Sequence, residues 1–497
     1  MTSTTPFVTD LLIIGGGING AGIAADAAGR GLSVVLCEQG DLGSATSSSS
    51  SKLIHGGLRY LEQREFRLVY AALKEREVLL KKAPHIMRPL RFRLPHQPHL
   101  RPQWLIRLGL FIYDRLAKRN QLEPSRKIHC DASGPLSADI KTCFEYSDAW
   151  VDDARLVVLN ALAARDKGAS IRPRTTFLHA DQQQQHWLAK IQSQHGKTET
   201  IRARAIVNAA GPWVMSTLHN VAPSDNAHSM RLVKGSHIVV PKLYSAEHAY
   251  ILQHEDQRIV FVIPYENYFS LIGTTDVDFN GDPGDVQISD NEKKYLLSIV
   301  NRYFTTQTSI ADIVHTFSGV RPLLEEENTS AQAVTRGYKL TLSGSTEEAV
   351  LMNVFGGKIT TYRRLAEQAV NKLARYFPAA THAWTATVPL PGGSFDSKSA
   401  LRSEYQQRFP WLADDLCGEY VCRYGRLCEQ FLDDTSSMAA LGEHFGHNLY
   451  QTEVDYLHDK EWAQTVEDIL WRRTKKGLLF SAEQVNHLQH YLSTLMN

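Results

Sequence analysis

The chain is short of the features that would place it in several large classes. No window approaches the roughly 18 consecutive apolar residues that a membrane-spanning helix needs. The opening Met-Thr-Ser-Thr-Thr-Pro-Phe has neither a basic n-region nor an apolar h-region, so no secretion signal is expected. Charge of either sign is not in excess. Lys and Arg number 54 against 53 Asp and Glu, a formal net charge of +1, which argues against a general nucleic-acid binder. Cysteine is sparse: Cys37, Cys130, Cys143, Cys417, Cys422 and Cys428 form no C-x-x-C pair. The last three lack His or Cys partners at zinc spacing, so no metal site is expected, and free buried thiols in a reducing compartment fit best. A length of 497 residues suffices for two or three domains around a large core.

What is present is concentrated near the start. Asp10-Leu-Leu-Ile-Ile14 reads as a buried strand, Gly15, Gly17 and Gly20 fit G-x-G-x-x-G, a helix-like run follows, and Ser33-Val-Val-Leu-Cys-Glu38 reads as a second strand ending in an acid. A dinucleotide-binding unit needs that order. Small residues let the backbone approach a pyrophosphate, the helix N-terminus offers unpaired N–H groups, and the acid, about 20 residues on, bonds the adenosine ribose. Ser44-Ala-Thr-Ser-Ser-Ser-Ser-Ser51 follows and runs straight into Lys52-Leu-Ile-His-Gly-Gly-Leu-Arg-Tyr60. By composition it could be a linker. Hydroxyls, N–H groups and one Lys beside a phosphate-binding turn suit the pyrophosphate and ribityl chain of a flavin better.

At this point the chain resembles the FAD-dependent glycerol-3-phosphate dehydrogenases, of the superfamily related to D-amino-acid oxidase. Besides Asp10 to Glu38 and Thr46 to Glu62, the resemblance rests on five strings: Glu145 to Arg155, Asn208-Ala-Ala-Gly-Pro-Trp213, Lys234-Gly-Ser-His-Ile-Val-Val240, Ile272-Gly-Thr-Thr-Asp276 and Ser318-Gly-Val-Arg-Pro-Leu323. Phe355-Gly-Gly-Lys-Ile-Thr-Thr-Tyr-Arg363 completes it. The resemblance implies non-covalent FAD, held at Gly15, Gly17, Gly20, Glu38, Thr46, Ser47, Ser51, Lys52, Leu53, Ala210, Gly211, Gly356, Gly357, Lys358 and Thr360. It also implies oxidation of sn-glycerol 3-phosphate to dihydroxyacetone phosphate, with electrons passed to a membrane quinone.

The expected fold class is α/β plus α: a Rossmann-like FAD-binding domain interleaved with an antiparallel-sheet substrate domain, then a helical C-terminal domain. Pieces of the cofactor domain are expected at 7–80, 151–225 and 346–388. Between them lie a substrate- and membrane-facing part at 81–150 and a substrate sheet at 226–345. Ile201 to Val207 and Val350 to Val354 read as strands entering Gly turns. His237 to Pro241, Ile259 to Pro264 and Phe269 to Gly273 suit an antiparallel sheet. Gln182 to Gln185 reads as an exposed hairpin or loop. A linker is expected at 389–397 and a helical domain at 398–497.

Oxidising a phosphorylated secondary alcohol requires cations for the phosphate, a base for the alcohol proton, and a hydride acceptor close to the alcohol carbon. The matched motif positions supply Arg59, Tyr60, Arg336 and Lys358 for substrate, with His237 and Arg321 for chemistry. His237 is the sensible base, with an ordinary pKa near neutrality. Arg321 can only stabilise an alkoxide, because its pKa is too high. Lying between apolar residues and a Pro, it needs an anionic partner, whether substrate, flavin or an internal carboxylate.

From Arg88 to Arg119 the chain carries eight Lys or Arg and one acid, Asp114, around Trp104-Leu-Ile-Arg-Leu-Gly-Leu-Phe-Ile-Tyr113. That pattern describes a helix lying on an anionic membrane surface, or alternatively a helix packed on the protein's own core. The resemblance implies a monotopic enzyme at the inner face of the cytoplasmic membrane, and a homodimer is compatible with it. The alternative is a soluble glycerol-3-phosphate oxidase that hands its electrons to dioxygen.

Overall fold

Leu11, Leu12 and Ile13 are wholly buried, which suits the middle strand of a parallel sheet covered on both faces. A computed structural model describes residues 6–97, 101–119, 122–131, 133–221, 230–256, 258–324 and 337–495. In it, strand Phe7–Ile14 lies between Val34–Cys37 and Thr198–Asn208, parallel to both. Val350–Gly356 extends the sheet beyond Thr198–Asn208, and Ser170–Arg172 extends it beyond Val34–Cys37. The carboxyl ends of the four longer parallel segments, at Ile14, Cys37, Asn208 and Gly356, therefore reach one edge, where an open α/β sheet binds its ligand. Helices Ile18–Gly29, Asp153–Arg165 and Tyr362–Leu373 pack together on this layer.

Among the described residues the second sheet has ten strands. Met230–Pro241 sits near one side of it, flanked by Phe269–Gly273 and His315–Leu324. Ile259–Tyr265, Ala249–Gln253, Met87–Pro95 and Thr142–Val151 continue it. The pairings are antiparallel except for Met87–Pro95 with Ala249–Gln253. Helix Asp290–Tyr303 covers one face through Leu296, Ile299 and Val300. Helices Phe66–Lys82 and Gln103–Leu116 cover the other through Val69, Leu73, Ile106, Leu110 and Tyr113.

Two boundaries differ from the sequence reading. Strand Tyr338–Ser343, expected with the substrate sheet, instead forms a hairpin with Val350–Gly356 and so closes the edge of the parallel sheet. Leu53–Ile54, expected with the first cofactor piece, pairs with Trp150 and Ala149 in the larger sheet. Gln184, with φ +46°, turns the hairpin between Thr175–Gln183 and His186–Ser193. Cys422 is exposed, unlike the buried Cys37, Cys143, Cys417 and Cys428.

The C-terminal part has helices Lys398–Arg408, Asp414–Arg423, Gln451–Glu461 and Ala482–Leu495, and a small hairpin of His444–Gly446 with Leu449–Tyr450. Its own core is built on Tyr405, Tyr420, Tyr424 and Leu457. It docks on the parallel-sheet layer through buried charge. Arg472 and Arg473 both reach Asp41 at 2.6 Å, Lys475 reaches Asp152 at 2.7 Å, and Arg155 pairs with Glu461. Removing one member of such a buried pair strands the other. Asp41→Asn should therefore destabilise the fold by about 3–5 kcal/mol, read as a lower urea midpoint for the C-terminal helices. An unchanged midpoint would mean the docking does not depend on Asp41.

Candidate active site

The glycine turn divides its labour. Gly15 has φ +107°, and a Cβ there would lie 2.6 Å from the Ala209 carbonyl oxygen. A Cβ on Gly20 would lie 1.9 Å from the Gly15 carbonyl oxygen, so this glycine lets the helix close onto the strand. Gly17 is different. It caps helix Ile18–Gly29, and its Cβ would meet only Ser47 Oγ, at 3.2 Å. It faces a cleft of about 760 Å³ that Glu38, Thr46, Ser47, Ala210, Gly211, Gly356 and Gly357 also line.

Glu38 stands at the end of Val34–Cys37. Its carboxylate accepts from Gly16 N at 2.6 Å and Gly40 N at 2.8 Å. Burial raises its pKa and these donors oppose the shift. Ser47 Oγ accepts from Ile18 N at 3.0 Å, so the Ser-rich loop, a short 3₁₀ turn at Thr46–Ser48, is tied to the helix start. Thr46 donates to Val320 O at 2.7 Å. Opposite, Asn19 donates to Gly356 O at 3.1 Å, while its Oδ1 is buried and accepts from no described protein group. A helix N-terminus, a carboxylate, loop hydroxyls and a buried unpaired acceptor fit a dinucleotide whose linker carries hydroxyls.

Lys52 departs from the expectation. Its backbone is left-handed, at φ +58°, and its side chain turns away from the cleft. Nζ donates to Ser48 O at 3.1 Å and to both oxygens of Asp153, at 2.9 and 3.0 Å. It lines neither cleft, and its place is beneath the Ser-rich loop.

A second cleft, of about 460 Å³, opens off the first and shares Thr46, Gly319, Gly357 and Ile359 with it. Ser51, Leu53, Arg59, Tyr60, His237, Arg321, Lys358 and Thr360 line it, and sequence reasoning named all eight. His237 is only 2% exposed. Its Nε2 meets Ser51 Oγ at 2.9 Å, and its ring stacks on Phe317 with centroids 4.8 Å apart. Burial first, then Lys52 and Arg321, hold its pKa well below the usual histidine value. Lys358 Nζ lies 4.0 Å from the centre of the Tyr60 ring. Arg59 makes no ion pair with a described residue. Arg336 lies outside the described residues.

Arg321 finds an internal partner. It pairs with Asp276 and donates to Thr274 Oγ1 at 3.1 Å. A Cβ on Gly235 would lie 2.2 Å from its guanidinium. Asp276 lines the same cleft, as do His55 and Gln253. Sequence reasoning missed all three as site residues. Asp276 stood inside a recognised string, but no spacing rule linked it to an arginine 45 positions later.

Known proteins resemble the chain over nearly its whole length. Residues 10–363 match the family model described as FAD dependent oxidoreductase, and residues 383–496 match the C-terminal domain of alpha-glycerophosphate oxidase. The chain is 54% identical to a glycerol-3-phosphate dehydrogenase of Pseudomonas aeruginosa, covering 98% of this chain and 95% of that protein. It is 50% identical to the aerobic glycerol-3-phosphate dehydrogenase of Escherichia coli, covering 97% of each. The fold is that of a solved glycerol-3-phosphate dehydrogenase from Bacillus halodurans complexed with FAD. The TM-score is 0.75 at 24% identity, covering 99% of this chain and 95% of that one.

FAD is the cofactor these residues fit, and a side chain on Gly17 would project into the cleft, past Ser47. Gly17→Val should purify folded but with little bound flavin, read from the ratio of absorbance at 450 and 280 nm. A variant as yellow as the parent would place the pyrophosphate elsewhere.

Proposed function

The chain belongs to the FAD dependent oxidoreductase family, and from that premise we propose that it oxidises sn-glycerol 3-phosphate at carbon 2 to dihydroxyacetone phosphate. The observation that carries the reading is one cleft, continuous with the dinucleotide cleft, lined by Arg59, Arg321 and Lys358 together with a buried histidine. Several cations suit a dianionic phosphate, whereas a single carboxylate substrate needs one arginine.

FAD, when bound, would supply the hydride acceptor for the hydrogen on carbon 2. The protein does the rest. Arg59 and Lys358 hold the phosphate, a role the motif also gives to Arg336, and the Tyr60 ring under Lys358 keeps that ammonium in place. The proton of the carbon-2 hydroxyl passes to Ser51 Oγ as Ser51 gives its own proton to His237 Nε2, the ring nitrogen that its hydroxyl meets. Arg321 stabilises the negative charge that develops on the oxygen as the proton leaves. Its pairing with Asp276 aims the guanidinium before substrate arrives and lowers its attraction for stray anions.

The acceptor of the electrons is assigned as a membrane quinone. Helix Gln103–Leu116 buries Ile106, Leu110 and Tyr113, yet Trp104 is 66% exposed, Leu108 47% and Phe111 52%. Leu105, Leu108 and Ile112 from the same helix stand at the mouth of the catalytic cleft. No helix among the described residues is long and apolar enough to cross a membrane. An apolar face at the cleft mouth, with Arg107 and Arg115 beside it, suits a protein lying on an anionic bilayer with its cleft facing the quinone pool.

Dye-linked oxidation by the purified protein, comparing glycerol 3-phosphate with glycerol, lactate and glycine, tests the substrate. Preference for glycine, or hydrogen peroxide formed in proportion to substrate, would replace this reading with an amino-acid oxidase or an oxygen-using oxidase. Arg59→Ala should lower kcat/KM about 10- to 150-fold, the loss of a charge-assisted contact worth about 1.5–3 kcal/mol, and leave FAD in place. Unchanged kinetics would remove Arg59 from the phosphate site.

The pH profile follows from the position of His237. As pH falls through its lowered pKa the ring takes up a proton and can no longer accept one. The acid limb of kcat/KM should therefore lie below about pH 6.5, the ordinary histidine value. His237→Ala should slow flavin reduction and lose that limb. A mutant that keeps the parental profile would show another base.

Trp104→Ser with Phe111→Ser should weaken co-sedimentation with anionic vesicles at high as well as low salt, because salt screens only the charge. Neither residue lines the cleft, so dye-linked activity should survive while quinone-linked activity falls. A parent protein that stays in the supernatant would end the membrane reading.

A further inference from the structure

The role of the C-terminal domain is the question the catalytic cleft leaves open, since no described residue beyond 360 lines it. Yet two chains of contact lead from that domain to His237. Both start within one short segment, at Trp471 and Lys475.

The first is a stack of rings. Trp471 lies flat on His315, with centroids 4.1 Å apart and planes 16° apart. His315 neighbours Phe317 on the same strand, at 6.4 Å. Phe317 stacks on His237 at 4.8 Å and 19°. Trp471 is held from behind by Gly477, where a Cβ would come within 2.4 Å of the indole.

The second is a chain of charge. Lys475 bonds Asp152 at 2.7 Å and lies 3.9 Å from Asp153. Asp153 accepts from Ser50 Oγ at 2.7 Å, from Ser50 N at 3.2 Å, and from Lys52 Nζ. Lys52 Nζ also sits 5.1 Å from the centre of the Phe317 ring, where the two chains meet. Between Ser50 and Lys52 is Ser51, whose hydroxyl holds His237 Nε2.

The geometry points to Trp471 and Lys475 as positioning residues for the oxidation: the C-terminal domain fixes the His237 ring from its face, through His315 and Phe317, and from its edge, through Asp153 and the Ser-rich loop. This rests on His237 being the base. A histidine free to rotate would lose the alignment that proton transfer requires, and such misplacement is worth up to about 100-fold in rate. Anchoring the loop and the ring to one segment makes catalysis contingent on the C-terminal domain being docked.

The test uses the FAD-loaded full chain and rapid-reaction flavin reduction by glycerol 3-phosphate. Trp471→Ala should lower the limiting reduction rate about 10-fold or more, with the half-saturating substrate concentration unchanged because the phosphate site is elsewhere. Trp471→Phe, which keeps a ring on His315, should recover most of the rate. In a His237→Ala background, Trp471→Ala should add no further loss. A purely structural tryptophan would give neither the rescue nor this absence of additivity. Unchanged reduction by Trp471→Ala, an effect confined to half-saturation, or a full additional loss without His237 would each overturn the proposal. If Trp471→Ala fails to retain flavin, His315→Ala and His315→Phe break and keep the same stack from the other side and are read by the same criteria. A His237→Ala enzyme that reduces flavin at the parental rate would instead overturn the base assignment, and this inference with it.

Discussion

The close contact between Gly20 and the Gly15 carbonyl is the constraint on which the rest of the molecule hangs. With 1.9 Å available to a Cβ, only glycine lets helix Ile18–Gly29 start directly at the end of strand Phe7–Ile14. That start aims its unpaired N–H groups along the sheet edge where Cys37, Asn208 and Gly356 also end. Every other element of the cleft is placed against it. Ser47 ties the Ser-rich loop to the helix at Ile18, Asn19 ties the last glycine turn to it at Gly356, and Glu38 closes over Gly16. A helix that began a residue later would leave these three partners without a common anchor.

A cleft built to bind anions gathers cations, and cations out of water need partners. The structure resolves this differently at each position. Lys52 is neutralised beneath the loop by Asp153, Arg321 at the cleft wall by Asp276, and Lys358 rests on an aromatic face. Arg59 has no ionic partner among the described residues, which leaves its charge available to a phosphate. Charge committed to structure and charge without an ionic partner thus lie a few residues apart in the same motif. The C-terminal domain extends the same economy, docking through Asp41, Asp152 and Glu461, with none of its described residues on either cleft.

These differences mark how far the sequence could be read. The strand, glycine turn, helix and acid at 10–38 were legible because their partners are local and each position has a steric or electrostatic reason for its residue. The residues around the substrate cleft were legible only through ordered motifs, since His237 or Lys358 alone carries no spacing signal. Lys52 was misplaced because composition cannot show that a left-handed backbone turns one side chain of a polar run inward. Asp276 escaped notice for a related reason: its partner is far along the chain, and pairing across strands depends on register, here the alignment of Met230–Pro241 with both His315–Leu324 and Val277–Asp278. The docking of Lys475 on Asp152, 323 positions away, left no local trace at all.

With His237 as the proposed base, the same register explains how a histidine can serve in so cationic a place. His237 sits opposite Gly273 and Phe317, so its ring has an aromatic face on one side, and its Nε2 edge meets Ser51. Burial and the nearby charges of Lys52 and Arg321 keep it neutral and weakly basic while the cleft holds no anion. A dianionic substrate reverses that balance. Its charge offsets the cations and makes a proton on the ring less costly just when an alcohol is aligned to give one up. Basicity is then supplied by the substrate's own phosphate. An alcohol lacking that group would meet a histidine that is correctly placed and electrostatically unwilling, so selectivity for a phosphorylated alcohol arises in the chemical step as well as in binding.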